Sequence, residues 1–306
     1  MNNKLEISPS SANNRIHDVS LSVITLTRNR AHMLALCLGS LVGQLGKKDE
    51  IVIIDNNSTD PTYEVVRSLQ SELPIHYYKS SITGYPRLYN LAIKKSTKEI
   101  LVFLDDDCVA SSNYISAVRQ AHREHIDAVI QGQTHSLPRH NIYAEIMGDH
   151  YQNWLEANRL SDGTLRTFDN KNASLPRTLI EKYGVFLDEL IEGSEDVELG
   201  IRLRRHEVEI IFDPRVIAYH HERLTFMGFL QQHLRIARSE GILDKALAQE
   251  DKIHMLYAPK LYLHIKGALV REIQYLTQGR LRGALLLPIL YVLNLIIRVW
   301  GYTAAR

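Results

Sequence analysis

Three consecutive aspartates, Asp105-Asp106-Asp107, follow the apolar run Ile100-Leu101-Val102-Phe103-Leu104. Such a run reads as a buried strand, which places the carboxylates where the chain leaves the sheet. Ligands of open α/β sheets bind at that carboxyl edge. Carboxylates this close repel one another and are driven toward protonation unless a cation joins them. A hard divalent ion, Mg²⁺ or Mn²⁺, is the usual oxygen-ligated partner and can hold a diphosphate as well. The chemistry indicated is a metal–diphosphate site.

A second acidic pair, Glu195-Asp196, opens the run Val197-Glu198-Leu199-Gly200-Ile201-Arg202-Leu203, which reads as a helix start. The positive helix end keeps such carboxylates ionised, as a general base requires. Acidic first turns also serve helix stability alone. His220-His221 follows a late apolar run. Imidazole can complete a mostly oxygen site, although a histidine satisfied by loop hydrogen bonds is the ordinary alternative. His122, His125, His135, His140 and His150 have no ligand spacing and read as solvated.

The elements that must position these groups alternate. Strands are expected at Leu21–Leu26, Ile51–Ile54, Ile75–Tyr78 and Ile100–Leu104, with helices after Arg30, after Pro61, over Pro86–Lys95 and near Tyr114–His125. Alternation of this kind implies a largely parallel sheet with helices on both faces. Further strands are expected at Ala128–Gln131, Val208–Phe212 and Val216–Tyr219, separated by a long polar and aromatic stretch to about Arg166. From about Leu224 the pattern is helical.

A net charge of +1 gives no support for a nucleic-acid partner. Cys37 and Cys108, without CxxC spacing, argue against a disulfide framework or structural zinc and fit a reducing cytosol. Residues 1–18, rich in Asn and Ser, read as a flexible tail and not a signal peptide. The nearest approach to a transmembrane segment is Ala284–Ile297, short and interrupted by Pro288 and Asn294, which fits a buried or interfacial helix better.

The segments Thr25-Leu26-Thr27-Arg28-Asn29-Arg30, Ile54-Asp55-Asn56-Asn57-Ser58-Thr59-Asp60, Leu104-Asp105-Asp106-Asp107, Asn172-Ala173-Ser174, Glu195-Asp196-Val197-Glu198-Leu199-Gly200 and Tyr219-His220-His221 occur in one order. In that order and spacing the chain resembles the family 2 glycosyltransferases over roughly Leu21 to Gly241. The resemblance implies the GT-A fold, a Rossmann-like nucleotide-binding mixed sheet flanked by helices, here with a helical C-terminal extension. The division expected is 1–18 tail, 19–240 catalytic domain and 241–306 extension. The implied activity is transfer of a sugar from a nucleoside-diphosphate sugar to a glycan or lipid-linked glycan acceptor, with inversion and with Mn²⁺ or Mg²⁺.

Residue by residue, the resemblance gives Asp55 to the nucleobase, with helix capping by Asn57 or Asp60 as the competing use of that segment. Thr27 and Arg30 fall in the matching first loop, and Arg87 in a segment where an arginine approaches the nucleotide. Asp107 becomes the direct metal ligand, Asp105 a ligand or ribose contact, and Asp106 a ribose or sugar contact. His220, preferred over His221, is a third ligand. Asn172 and Arg177 match the wall of the donor-sugar and acceptor pocket, with Phe186, Asp188 and Glu189 just before the base loop. Asp196 receives the role of general base and Glu195 that of orienting the acceptor. Arg235, in a Gln-x-x-Arg spacing followed by Ile236 where processive relatives carry tryptophan, or Arg238, would close on the diphosphate. His206-Glu207 stands where many relatives have glycine.

Lys260, Lys266, Arg271, Arg280, Arg282 and Arg298 face only Glu272 as an acidic counterpart and are interleaved with Leu, Ile, Tyr and Trp. Basic residues on an apolar helix suggest adhesion to an anionic membrane surface, at the inner face of the plasma membrane. Packing of a helical pair on the domain, or between subunits of a homo-oligomer, is the alternative. Two other functions compete: a non-catalytic sugar-nucleotide-binding or scaffold protein, and a nucleotidyltransferase. The latter would need a glycine-rich phosphate loop, and Thr27–Arg30 lacks the glycines.

Overall fold

A computed structural model describes residues 19–137, 141–222, 225–247, 268–273, 275–279 and 281–305. The tail 1–18, His140, Lys260, Lys266 and Arg280 lie outside the described residues, as do the side chains of Arg282 and Arg298.

The strands are β1 (Leu21–Thr27), β2 (Glu50–Asp55), β3 (Ile75–Lys79), β4 (Ile100–Leu104), β5 (Cys108–Ala110), β6 (Val129–Leu137), β7 (Asn172–Pro176) and β8 (Ile210–His221). Between them run α1 (Ala31–Leu41), α2 (Thr62–Leu69), α3 (Tyr85–Lys95), α4 (Tyr114–Glu124), α5 (Ile142–Asn158), α6 (Arg177–Tyr183) and α7 (Glu195–Arg205). Helices α8 (Phe226–Leu247) and α9 (Leu281–Ala305) follow. The strands form one mixed sheet in the order β3-β2-β1-β4-β7-β6-β8-β5. β3, β2, β1 and β4 are parallel, while β7 runs antiparallel to both β4 and β6.

Side chains alternate across each strand, so each strand contributes to two cores. Leu21, Val23, Ile51, Ile53, Val102 and Leu104 meet α1, α2 and α4 on one face. Ile24, Val52, Ile54, Leu101 and Phe103 meet α3, α6 and α7 on the other. The parallel half therefore ends all its strands at one edge, and the loops after β1, β2 and β4 converge there.

Several elements differ from the sequence reading. The stretch expected to be irregular contains the 17-residue helix α5, capped by Asn141, whose side chain accepts from the backbone N–H groups of Tyr143 and Ala144. Its buried Ile146, Met147, His150, Tyr151 and Leu155 have the helical i, i+3 and i, i+4 spacing of an inward face, masked in the sequence by intervening polar residues. The two late strands are one, β8, with its register against β6 shifting between Gly132 and Gln133. Pro214 falls in the extra residues, where a bulge tolerates a missing N–H. His122 and His150, expected to be solvated, are buried at 3% and 8% exposure. His122 lies on the inward face of α4 with its Nε2 2.8 Å from Ser174 Oγ.

α8 and α9 cross closely. A Cβ on Gly241 would stand 2.6 Å from the backbone oxygen of Tyr302, and one on Gly301 would stand 2.9 Å from Ala237 Cβ. The pair joins α5 through Phe229, Tyr275, Leu287, Leu290 and Tyr291, packed on Ile146 and Met147. Arg271 donates to Asp149 on α5 (Nε–Oδ2 2.9 Å), and Tyr291 donates to the same oxygen at 3.0 Å. Arg271 thus has an acidic partner that the local sequence did not reveal. α9 continues through Pro288 to Ala305, so its apolar part covers 22 residues from Ala284, longer than the segment expected.

Candidate active site

A cavity of about 980 Å³ opens at the carboxyl edge of the parallel strands. Its floor is the turn after β4. The three aspartates lie in the turn between β4 and β5. The N–H of Cys108 bonds to the carbonyl of Asp105 (3.0 Å), closing a tight turn that fans the carboxylates apart. Asp105 accepts from the Tyr89 hydroxyl at 3.1 Å. Asp106, 3% exposed, accepts from the Thr27 hydroxyl at 2.7 Å and from Arg30 at 2.8 Å. Asp107 accepts from the same Arg30 nitrogen at 2.7 Å. Thr27 and Arg30 therefore reach the site, but they bind its aspartates.

His220, from the end of β8, faces Asp107 with Nε2 3.2 Å from Oδ1. The contact is an ion pair, and both Asp107 Oδ1 and His220 Nδ1 are buried without a well-aligned hydrogen bond. On its other side His220 Nδ1 lies 2.8 Å from Glu222, which also accepts from Ser136. Burial opposes charging His220, but Asp107 and Glu222 together raise it to about 10. Burial likewise opposes charge on Asp107, yet His220 and Arg30 hold it well below the usual carboxylate range. Asp106 is pushed up to about 7 by burial and its carboxylate neighbours, against the pull of Arg30 and Thr27.

The second acidic group sits at the start of α7. Ser194 before it has φ 68°, a left-handed conformation unfavourable for a residue with a Cβ. The loop is pinned from α8: Ser194 donates to Ser239 at 3.0 Å, Arg235 to the Glu192 carbonyl at 3.1 Å, and Arg238 to the Glu192 carboxylate at 2.8 Å. Asp196 accepts from the N–H groups of Asn170 (3.1 Å) and Val197 (2.8 Å). Burial, then repulsion from Asp169, pushes Asp196 up to about 7. Burial, then repulsion from Asp196, pushes Glu195 up to about 8.

The cavity thus brings together Thr27, Arg30, Asp105, Asp106, Asp107, Glu195, Asp196, His220 and Arg235. Four expected residues are placed elsewhere. Asp55 is 1% exposed and accepts from the Ser58 N–H at 2.8 Å and from the Tyr77 hydroxyl, and its neighbour Asn56 forms the cavity wall. Arg87 is half-exposed beside Asp188 at 3.6 Å. Asn172 is fully buried, accepting from Tyr114 at 2.8 Å and donating to the Gln133 and Val216 carbonyls at 3.1 Å each. That amide ties β7 to its neighbours. Arg177 likewise clamps the end of α3 through the carbonyls of Lys98 and Ile93. The helix after Pro61 has no side-chain cap of the kind weighed for Asn57 or Asp60; Asp60 instead accepts from the Ala31 N–H at the start of α1 (2.8 Å) and from the Thr62 hydroxyl (2.5 Å).

Sequence reasoning missed Asp169, Asn170 and Lys171, just before β7. Lys171 Nζ lies 3.2 Å from Asp169 Oδ2 and 5.3 Å from the Tyr151 ring centroid. Burial opposes its charge, but Asp169 and Glu222 raise its pKa. The signal was a polar run abutting the motif Asn172-Ala173-Ser174, read one strand-start too late. Glu207, in the glycine position noted above, has φ 62°, so the left-handed turn after α7 persists despite the side chain.

Among known proteins, the family model described as glycosyl transferase family 2 matches residues 22–184, more than half of the 306-residue chain. Validoxylamine A glucosyltransferase of Streptomyces hygroscopicus subsp. jinggangensis is 30% identical over 225 residues, covering 63% of this chain and 53% of the relative. Chondroitin synthase of Pasteurella multocida is 25% identical over 221 residues, covering 61% of this chain and 23% of the relative. The chain spans about half, or less, of the length of these curated relatives. Among solved structures, the mannosyltransferase PcManGT from Pyrobaculum calidifontis in complex with GDP-Man and Mn²⁺ superposes with a TM-score of 0.59. It is 21% identical, and the match covers 93% of this chain and 84% of that one. S. aureus TarS 1–349 in complex with UDP-GlcNAc superposes with a TM-score of 0.52 at 14% identity, over 94% and 90% of the two chains. Likeness at these identities is one of fold.

Proposed function

The chain belongs to glycosyl transferase family 2, and on that premise we propose that it moves a sugar from a nucleoside-diphosphate sugar to an acceptor hydroxyl, using a divalent cation at Asp107 and His220 and Asp196 as general base. The observation that carries the reading is the unpartnered Asp107 Oδ1 with His220 Nε2 3.2 Å away. A carboxylate oxygen beside an imidazole nitrogen is a donor pair that would fit a divalent cation such as Mn²⁺. Glu222 lies 2.8 Å from the other ring nitrogen, on the side where a ligating imidazole usually meets its second partner. Among the described residues no group of three or more His, Cys, Asp or Glu side chains is placed to hold a metal ion; in this reading the remaining ligands come from water and substrate phosphate.

When bound, the cation supplies positive charge against the departing diphosphate. Arg30 holds Asp106 and Asp107 in place. Asp196, fixed by two backbone N–H groups, takes the proton of the acceptor hydroxyl. The acceptor oxygen bonds to the anomeric carbon as the carbon–oxygen bond to the diphosphate breaks, its electron pair leaving on phosphate. A single displacement of this kind inverts the anomeric centre. A thermal-shift screen of nucleoside diphosphates with and without Mn²⁺ tests the donor and the metal together, because a ligand that binds only the folded state raises its stability. The expected result is a Mn²⁺-dependent rise with one base. Equal melting with every diphosphate, metal present or absent, would refute it.

We assign the outer face of α9 to an anionic membrane surface. Leu285, Ile289, Val292, Ile296, Val299 and Trp300 are 50–76% exposed at helical spacing, while Ala284, Leu287, Leu290 and Tyr291 face inward. The 22-residue, largely apolar stretch from Ala284 is about 33 Å long, enough to cross a bilayer. Its packing along α8 favours lying in the interface instead. The acceptor in this reading is a glycan carried on a lipid at the cytoplasmic face.

A further inference from the structure

Ser194, the residue just before α7, is unusual for its place. A serine there is normally extended and accepts an N–H from the second or third helical residue, here Asp196 or Val197. Ser194 instead has φ 68°, and its side chain makes no capping bond. A residue with a Cβ stays left-handed only where its surroundings hold it. What holds Ser194 comes from α8. Its hydroxyl donates to Ser239 Oγ at 3.0 Å, and the Ser239 hydroxyl donates onward to the Ile236 carbonyl at 2.9 Å, which fixes Ser239 as an acceptor. Loop and helix lie close. A Cβ on Gly193, whose φ is 129°, would stand 3.1 Å from Arg235 Nη1 and 3.6 Å from Ser239 Cβ. Leu190, earlier in the same loop, is buried with Leu243 and Leu247 of α8.

The capping site that Ser194 gives up is in use. The Val197 N–H, which a capping serine would take, donates to Asp196 Oδ1 at 2.8 Å and is one of the two groups that fix this carboxylate. We propose that Ser194 and Ser239 are positioning residues for transfer: their hydroxyl bond holds Ser194 off its own helix, keeps the Val197 N–H for Asp196, and so sets where the base stands. The inference rests on the reading of Asp196 as general base. It adds the element that aims that base, a helix whose contact residue lies 45 positions from Ser194 in the chain.

Stability and activity should then part. Ser239→Ala removes the acceptor and frees Ser194 to turn back onto Val197. The helix gains a cap, so the variant should melt no lower than the parent. Its kcat should fall about tenfold through misplacement of the base, with the donor KM within about twofold. Asp196 would lose an N–H that favours its charged form, so the midpoint of the pH–rate profile should rise. Ser194→Ala should lose as much activity. Ser194→Gly should not, because glycine takes a positive φ freely and has no side chain to compete for Val197; turnover should stay within about threefold of the parent. Adding Ser194→Gly to Ser239→Ala should restore most of the loss. Turnover is read as UDP or GDP release from UDP-glucose, UDP-N-acetylglucosamine or GDP-mannose with Mn²⁺ present. A crystal structure of Ser239→Ala needs no turnover and should show Ser194 at negative φ with Oγ on the Val197 N–H. Parental kcat in Ser239→Ala, equal loss in Ser194→Gly and Ser194→Ala, or a left-handed Ser194 in that crystal overturns the proposal. The base reading fails separately, through full turnover by Asp196→Asn, a result on which the serine variants have no bearing.

Discussion

Replacing Asp196 with Asn tests the division of labour between the two acidic sites. The substitution keeps the size of the side chain and its place at the start of α7, where the Asn170 and Val197 N–H groups are donors. It removes the ability to take a proton. A positioned general base contributes about 10²–10⁴ in rate, so kcat should fall by at least a hundredfold, while Mn²⁺-supported nucleotide affinity stays within about twofold. The unmodified enzyme should show the same group in its pH profile. With the carboxyl pushed up to about 7, roughly 9% is ionised at pH 6 and 91% at pH 8, so activity climbs about tenfold between them. Glu195, raised to about 8, repels Asp196, so the pair sheds its protons in two macroscopic steps and broadens the rise. Stability runs the other way. Groups whose folded pKa is raised favour the fold below the unfolded carboxyl value, and that contribution is lost as pH climbs through the folded values. Asp196→Asn should therefore melt higher than the parent at pH 8 and much the same at pH 4. A product-quantifying transfer assay and a melting series decide the matter; turnover within tenfold of the parent at pH 8 would remove Asp196 from the chemistry.

Asp107→Ala deletes the unpartnered oxygen opposite His220, and titration calorimetry should show Mn²⁺-supported diphosphate binding weakened at least tenfold; an unchanged isotherm rejects the ligand assignment. Excess chelator should abolish transfer by the parent protein and added Mn²⁺ should restore it, whereas full activity in chelator would end the metal reading. Substituting Leu285, Ile289 and Ile296 together with Gln strips three exposed apolar side chains from α9, each worth about 1.5–3 kcal/mol when buried. Flotation with anionic liposomes should then fail, and undiminished flotation would move the contact elsewhere. Gly241→Val forces a Cβ toward the Tyr302 carbonyl, 2.6 Å away, and should cost about 1–3 kcal/mol in urea unfolding; an unchanged midpoint would mean that the helices do not cross so closely.

The parallel half was legible because its signals are local. Buried strands are unbroken apolar runs, and each ends on a turn whose polar residues stand at one sheet edge. That pattern places the aspartate turn at the sheet edge; Glu195, Asp196 and His220, outside the parallel half, were assigned through the family resemblance. What local pattern could not supply was orientation. Asp55 and Asn172 have the right type and place, but each turns inward, toward Tyr77 in one case and Tyr114 in the other. Those partners lie 22 and 58 residues away. α5 was hidden for a different reason: its inward face carries His150, Asn158 and Glu145 among the apolar residues, so its period was diluted. The Arg271–Asp149 pair spans 122 residues, beyond the reach of any local reading.

The charge lining the cavity makes the case for a cation without reference to any relative. Asp105, Asp106, Asp107, Asp169, Glu195, Asp196, Glu222 and Glu240 line it, against Arg28, Arg30, Lys171, Arg235 and the charged His220. Several of these cations are already engaged: Arg30 by two aspartates, Lys171 by Asp169, and Arg235 by the Glu192 carbonyl. A diphosphate brings further negative charge to a wall where burial already pushes Asp105 upward. Entry without added positive charge would require the carboxylates to take up protons, yet His220 and Arg30 hold Asp107 firmly ionised. The one feature that accommodates both is an exchange at His220. Its raised pKa records a proton held between Asp107 and Glu222, and a divalent ion would replace that proton with twice the charge. Loading should accordingly release close to one proton per Mn²⁺ at neutral pH, read by pH-indicator dye in weakly buffered solution. Uptake of Mn²⁺ with no proton release would show that His220 is not the group displaced.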